Sequence, residues 1–374
     1  MSKISIYIHV PFCKHKCIYC DFYSIITEEN IDRYVNSICK EISFYSKKFN
    51  DEVETIFFGG GTPSLLDVKQ IGFILDCLRK KFKISNDAEI TLETNPGTVD
   101  LKKLVELKAE GINRISIGVQ TFNESELKFL TRIHDKNSAL NTITNAEKAG
   151  FENISLDLIF NLPKQTKEIW KENLATAIQL PITHISTYSL ILEKGTILNK
   201  LVLDGKVTLQ NEDYDADLYE YTIDFLSSKG FIQYEVSNFC KPGYECKHNL
   251  NYWHHKNYLG FGPSAHSFYD DKRWWNFSSL KMYIDSIESK SEAVRSRETL
   301  DLSQREQEYL MLALRSDGLK LIEFEKTFGK RFMIQNKKYL DELKSNGYLI
   351  NINQTLTLTK KGYLVCDEVL VNLK

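Results

Sequence analysis

At 374 residues, with 48 Lys and Arg against 50 Asp and Glu and a net charge of -2, the chain carries no overall basic field with which to hold nucleic acid or an anionic membrane. Its 42% hydrophobic and 26% charged residues and only 7 prolines exclude global disorder. Its length excludes a peptide module and suggests two or three folding units. The opening residues, 1–8, lack a basic region followed by a long apolar run and a cleavage site, and no apolar stretch nears the roughly 20 residues that span a bilayer. A cytoplasmic protein is expected.

Runs rich in Ile, Val, Phe and Thr predict strands over residues 4–10, 53–58, 89–94, 114–120, 154–160 and 184–190. Between them, helical spacing predicts helices over 30–49, 67–82, 101–110, 138–149 and 167–179. Parallel strands require crossover helices, so this alternation predicts an α/β fold with a parallel sheet, doubly wound or curved into a full or partial barrel. Periodicity does not choose among these. Residues 234–277, dense in His, Tyr, Trp and Gly, read as a long irregular stretch, and loops of that length are usually functional. Helices over 304–314, 321–328 and 333–345 then precede a hairpin, 348–352 and 355–359, which together read as a small α+β domain of winged-helix type. Residues 301–374 hold twelve Lys and Arg against ten Asp and Glu, too balanced for a DNA-binding footprint. Packing or protein contact is expected of this tail, and nucleic acid is not an expected partner.

Eight cysteines are sparse for a secreted disulfide scaffold, and three of them, Cys13, Cys17 and Cys20, crowd into a CxxxCxxC run just after the first predicted strand. Three thiolates on one loop suit three irons of a cubane cluster, leaving the fourth iron open, and an open position marks a reactive metal site. A structural zinc with His15 as fourth ligand and unligated thiols are the alternatives, less favoured because zinc sites usually present paired CxxC units. Gly59-Gly60-Gly61-Thr62-Pro63 follows the second predicted strand, where residues without Cβ let a ligand approach the backbone. Glu93, Gln120 and Asp157 fall at later strand ends with Arg132 beyond, and in a parallel barrel such positions share one mouth.

The cysteine loop, with Tyr19 before its last Cys, resembles the signature of radical S-adenosylmethionine (SAM) proteins. Tyr7-Ile8-His9-Val10-Pro11-Phe12-Cys13 with Tyr19-Cys20-Asp21-Phe22 is more closely similar to the oxygen-independent coproporphyrinogen III oxidase family, in its HemW heme-chaperone subfamily. The resemblance spans essentially the whole chain. It implies a partial (β/α)6 barrel over residues 1–232, a connecting region over 233–298 and a C-terminal domain over 299–374. It also implies a [4Fe-4S] cluster on Cys13, Cys17 and Cys20, with SAM on the open iron. By motif, SAM falls to Gly60, Gly61, Thr62, Gln120, Asp157 and Arg132, with Glu93 close by and Tyr7 and Tyr19 as aromatic neighbours.

Oxidases of this family carry a further Cys two residues beyond the third and an N-terminal extension. Here Phe22 stands at that position and the chain opens directly on the first strand, so the resemblance favours the chaperone, which binds heme and passes it to acceptors. Coproporphyrinogen III oxidase activity is the alternative, and a radical SAM enzyme of other substrate a third reading. His248-Asn249-Leu250-Asn251-Tyr252-Trp253 resembles the subfamily's HNxxYW motif and makes His248 the expected heme ligand. Cys240 and Cys246 fit no metal spacing and read as inert; His254, His255 and His266 receive no role. Heme and heme-accepting proteins, respiratory cytochromes among them, are the implied partners, with a flavodoxin- or ferredoxin-type donor if SAM is cleaved. Any membrane association would be peripheral, through such an acceptor.

Overall fold

In the computed structural model, which describes residues 2–329 and 331–373, the chain opens as six strands laid side by side in sequence order. These are β1 (Lys3–Val10), β2 (Glu52–Gly60), β3 (Lys83–Thr94), β4 (Arg114–Gln120), β5 (Asn153–Phe160) and β6 (His184–Ser189), every neighbouring pair parallel. The crossovers are α1 (Ile31–Tyr45), α2 (Val68–Lys81), α3 (Leu101–Ala109), α4 (Glu124–Phe129), α5 (Lys136–Lys148) and α6 (Lys167–Ala177), followed after β6 by α7 (Ile197–Leu203) and α8 (Glu212–Ser228). Asp67 and Gln70 form a reciprocal capping box on α2, whose Ile71, Ile74, Leu75 and Leu78 make the buried stripe. Asp100, Asp135 and Thr166 cap α3, α5 and α6.

Alternation along the strands divides the sheet into two surfaces. Ile4, Ile6, Ile8 and Val10 of β1, Ile90 and Leu92 of β3, Ile115, Ile117 and Val119 of β4, and Ile154, Leu156 and Leu158 of β5 pack in one apolar core with the helices. The intervening residues, among them Ser5, Thr55, Thr91, Arg114, Ser116, Ser155 and His184, are polar yet buried, and face the concave side. This inner surface is where a ligand can meet polar groups.

The stretch expected to be irregular is instead built of short elements. They are β7 (Ile232–Gln233), β8 (Asn238–Cys240), α9 (Lys247–Trp253), β9 (Tyr258–Phe261), β10 (His266–Tyr269) and β11 (Lys272–Asn276), continued by α10 (Leu280–Lys290) and β12 (Val294–Thr299). The strands extend the sheet at both edges, in the order β12-β11-β10-β9-β1-β2-β3-β4-β5-β6-β8-β7, so β6 pairs with β8 rather than β1 and the barrel stays open. Gly260 hides β9 from sequence reading: it looks like a turn residue, but a Cβ there would lie 2.0 Å from the His266 carbonyl oxygen.

The C-terminal residues form α11 (Leu302–Leu314), β13 (Leu319–Lys320), α12 (Leu321–Phe328), α13 (Arg331–Gln335), α14 (Lys337–Ser345), β14 (Leu349–Ile352), β15 (Thr355–Leu358), α15 (Lys360–Leu364) and α16 (Cys366–Val371). They enclose a second core around Leu314, Phe324, Phe332 and Leu356, with a three-stranded antiparallel sheet, as a winged-helix-type unit requires. Cys39 of α1 and Cys77 of α2 are joined in a disulfide, a pairing that the sparse cysteine spacing did not suggest. No helix among the described residues is long and apolar enough to cross a membrane.

Candidate functional site

The loop after β1 folds back on itself: Phe12 bridges Ile25, the Cys13 N–H donates to the Ile25 carbonyl (2.9 Å) and the Ile25 N–H to the Pro11 carbonyl (2.8 Å). The glycine turn after β2 seats against it, with the Gly61 N–H donating to Val10 O and the Thr62 N–H to Phe12 O, both at 2.8 Å. A Cβ on Gly61 would lie 2.8 Å from Phe12 O and 3.0 Å from Cys13 Sγ, and Gly60 adopts φ +107°. The turn therefore packs against the cysteine loop as well as leaving room for a ligand.

Beside it opens a cavity of about 420 Å³, within the usual range for a small-molecule site. Cys13, Cys17, Cys20 and Tyr19 line one side, Gly60, Gly61 and Thr62 the next, and Glu93, Gln120, Arg132 and Asp157 the remainder. Gln120 reaches it from a left-handed backbone, φ 69°, at a register shift between β4 and β5. Of the expected site residues, two lie elsewhere. Tyr7 sits below the cavity, its hydroxyl 3.1 Å from His9 Nδ1 and its ring stacked on Phe57. His248 lies beyond Tyr7, its ring centroid 6.4 Å from that of Tyr7 and 4.9 Å from that of Phe57.

Arg132 organises the wall. Its Nη2 donates to Asn95 Oδ1 (2.6 Å) and the Gly118 carbonyl (2.7 Å), and its Nη1 lies 3.5 Å from Cys17 Sγ. Asn95 Nδ2 donates to Thr62 Oγ1 (2.9 Å), joining arginine to glycine turn. Burial opposes the charge on Arg132, but Tyr19 and Cys17 more than offset it, so the guanidinium pKa lies above its ordinary value. The Arg132 Nε–H is buried without a hydrogen-bond partner. Burial and then repulsion from Asp157 push Glu93 up to about 8, against the Gly60 N–H and Arg114, so Glu93 holds its proton at neutral pH. Burial likewise raises Asp157, and lifts the Cys20 thiol to about 11 in the absence of metal.

This donor set fits a cluster and SAM together. Three soft thiols share one loop, a cation with an unused N–H suits a carboxylate, and amide and carboxyl acceptors suit vicinal hydroxyls. Among the described residues no three His, Cys, Asp or Glu side chains converge on a point for one metal ion, whereas a cubane takes one thiolate on each of three irons. Asn95, Ser116 and Tyr188 also line the cavity and escaped the sequence reading. Ser116 of β4 and Tyr188 of β6 line the same cavity as Glu93 of β3 and Asp157 of β5, and Asn95 stands just past the end of β3.

His248 belongs to a plug in the barrel floor. The α9 N–H groups of Lys247 and His248 donate to the two oxygens of Glu89 (3.1 and 3.0 Å), and Asn251 Nδ2 donates to Ser5 Oγ. The imidazole is 1% exposed, with Nδ1 2.7 Å from Thr55 Oγ1 and Nε2 3.0 Å from the Tyr252 hydroxyl. Burial, then Arg114, lowers its pKa to about 3. Both ring nitrogens of His248, the residue expected to ligate heme, are therefore engaged within the protein. Burial raises the thiols of Cys240 and Cys246 to about 12, which keeps both protonated at neutral pH.

The description of the radical SAM superfamily matches residues 7–177. The chain is 36% identical over 369 residues to the heme chaperone HemW of Bacillus subtilis (strain 168), covering 98% of this chain and 97% of that protein. It is 39% identical over 272 residues to the heme chaperone HemW of Escherichia coli (strain K12), covering 71% and 70%. Among solved structures, the coproporphyrinogen III oxidase HemN from Escherichia coli, described as a radical SAM enzyme, superposes with a TM-score of 0.85 at 25% identity, over 99% of this chain and 89% of that one.

Proposed function

The chain belongs to the radical SAM superfamily and, within it, to the family of the HemW heme chaperones, and from that premise we propose that it binds a [4Fe-4S] cluster, SAM and heme and hands the heme to acceptor proteins. Cys13, Cys17 and Cys20 hold the cluster; Gly60, Gly61, Thr62, Gln120, Arg132 and Asp157 hold SAM. The observation that carries this reading is the meeting of the three loop thiols and the SAM-type donors on one cavity. A reduced cubane with SAM on its open iron supplies one-electron chemistry. The protein's part is to fix the carboxylate end with Arg132, to keep Glu93 neutral beside it, and to accept the ribose hydroxyls at Gln120 and Asp157.

A second reading, oxidative decarboxylation of coproporphyrinogen III, draws support from the likeness to HemN. Phe22, at the position where the oxidases are expected to carry a further Cys, weighs against it. Anaerobically reconstituted protein separates the two when titrated with hemin and, in parallel, assayed for coproporphyrinogen III turnover. Hemin binding with transfer to an apo-cytochrome and no protoporphyrinogen IX is the expected result. Catalytic turnover without hemin binding would overturn the chaperone reading.

A further inference from the structure

We propose that Thr55 is the positioning residue of the heme ligand, holding the His248 imidazole through Nδ1 so that Nε2 is the nitrogen given to the iron; this rests on the heme-binding reading above, with His248 as the ligand. Three polar residues stand abreast at one level of the sheet, Ser5 of β1 paired with Thr55 of β2, and Thr55 with Glu89 of β3. All three are buried on the inner surface, where a hydroxyl or carboxylate without a partner destabilises the fold. Each turns its polar atoms to α9. Glu89 accepts the N–H groups of Lys247 and His248, Ser5 Oγ accepts from Asn251 Nδ2, and Thr55 Oγ1 meets His248 Nδ1 at 2.7 Å. The row is a seat for one short helix, and the residue at its centre touches the imidazole itself.

The two ring nitrogens are not equivalent. Nδ1 faces a strand of the sheet and a residue with no exposed surface, whereas Nε2 faces the Tyr252 hydroxyl (3.0 Å), and Tyr252 is partly exposed. A ligand arriving from outside therefore meets the Nε2 side, where it takes the place of that hydroxyl. Phe57, two residues along β2, stacks on the imidazole with centroids 4.9 Å apart and planes within 26°, and fixes the plane of the ring. Iron on Nε2 requires the lone pair there, and hence the proton on Nδ1. A buried Nδ1–H needs an acceptor, and the Thr55 hydroxyl, which rotates to accept, supplies it. Metal-bound histidines donate their second N–H in this way, which fixes the tautomer and makes the ring a stronger donor to the metal. Serine at this position keeps the acceptor; valine, of the same shape as threonine, removes it.

The test titrates hemin into the full, cluster-loaded chain as wild type, Thr55→Val, Thr55→Ser and His248→Gln, each checked by circular dichroism, and measures the heme reduction potential spectroelectrochemically. His248→Gln is expected to lose the wild-type Soret band. Thr55→Val leaves the Nδ1–H without an acceptor and is expected to bind hemin about tenfold more weakly. It is also expected to raise the heme potential, because a ring that donates less favours the ferric state less, and Thr55→Ser is expected to restore both values. Should Thr55→Val not fold, Thr55→Ala gives the same comparison with less bulk. Wild-type potential and affinity in the folded variant, or a wild-type band in His248→Gln, would overturn the assignment while leaving heme binding intact. Absence of any Soret band in the wild type would overturn the heme reading and this assignment with it.

Discussion

Replacing Glu41 with Gln removes a buried acid whose titration couples stability to pH. Glu41 is fully buried on α1, where its carboxyl accepts from the Tyr283 hydroxyl (2.6 Å), Asn276 Nδ2 and the Gly262 N–H. Burial pushes its pKa from 4.5 to about 7 against those hydrogen bonds. The native protein therefore keeps a proton that the unfolded chain has already released. Its contribution is fully present below pH 4.5 and is lost as pH rises through about 7, a loss of about 3 kcal/mol at about 1.4 kcal/mol for each pH unit. Glutamine imitates the protonated form. Urea melts at pH 5 and pH 8.5 are expected to show the wild type losing about 2–3 kcal/mol more than Glu41→Gln over that interval, part of the full loss lying below pH 5. Equal pH dependence in the two proteins would refute the reasoning.

Gly61→Ala places a Cβ against Phe12 O and Cys13 Sγ, an overpacking cost of about 1–3 kcal/mol that displaces the cysteine loop; iron per chain after reconstitution should fall while circular dichroism is retained, and full iron loading would contradict it. Arg132→Gln removes a charge-assisted partner, so equilibrium dialysis should find SAM binding weaker by about tenfold or more, with iron retained. Asn95→Ala frees both Arg132 Nη2 and Thr62 Oγ1 from their shared partner and should weaken SAM binding in the same assay without reducing iron; unchanged affinity would show that the Asn95 bridge does not orient the arginine.

Much of the fold was legible because local rules and tertiary structure agree. The Ile4, Ile6, Ile8, Val10 alternation marks a strand covered by helices on one face, and the cysteine spacing is complete within residues 13–20, so it shows without reference to any distant partner. The floor was not legible for the opposite reason. The partners of His248, Thr55 and Glu89, lie 193 and 159 residues away, and the same His, Asn, Tyr and Trp that suit a heme pocket also suit a hydrogen-bonded plug. Strands of three to five residues, β8 to β11, carry too few alternations to read. The six residues of α4 complete fewer than two turns, too few for a helical period to show. Asn95 is harder to read from sequence than Glu93 because its role depends on Arg132, 37 residues on.

The central claim is that three loop thiolates leave one iron free beside a SAM-shaped wall, and electron paramagnetic resonance of the reduced, anaerobically reconstituted protein tests it most directly. About four irons per chain and a signal that changes when SAM is added, lost in Cys17→Ser, is the expected result. Bound zinc in place of iron, or a cluster signal indifferent to SAM, would contradict it.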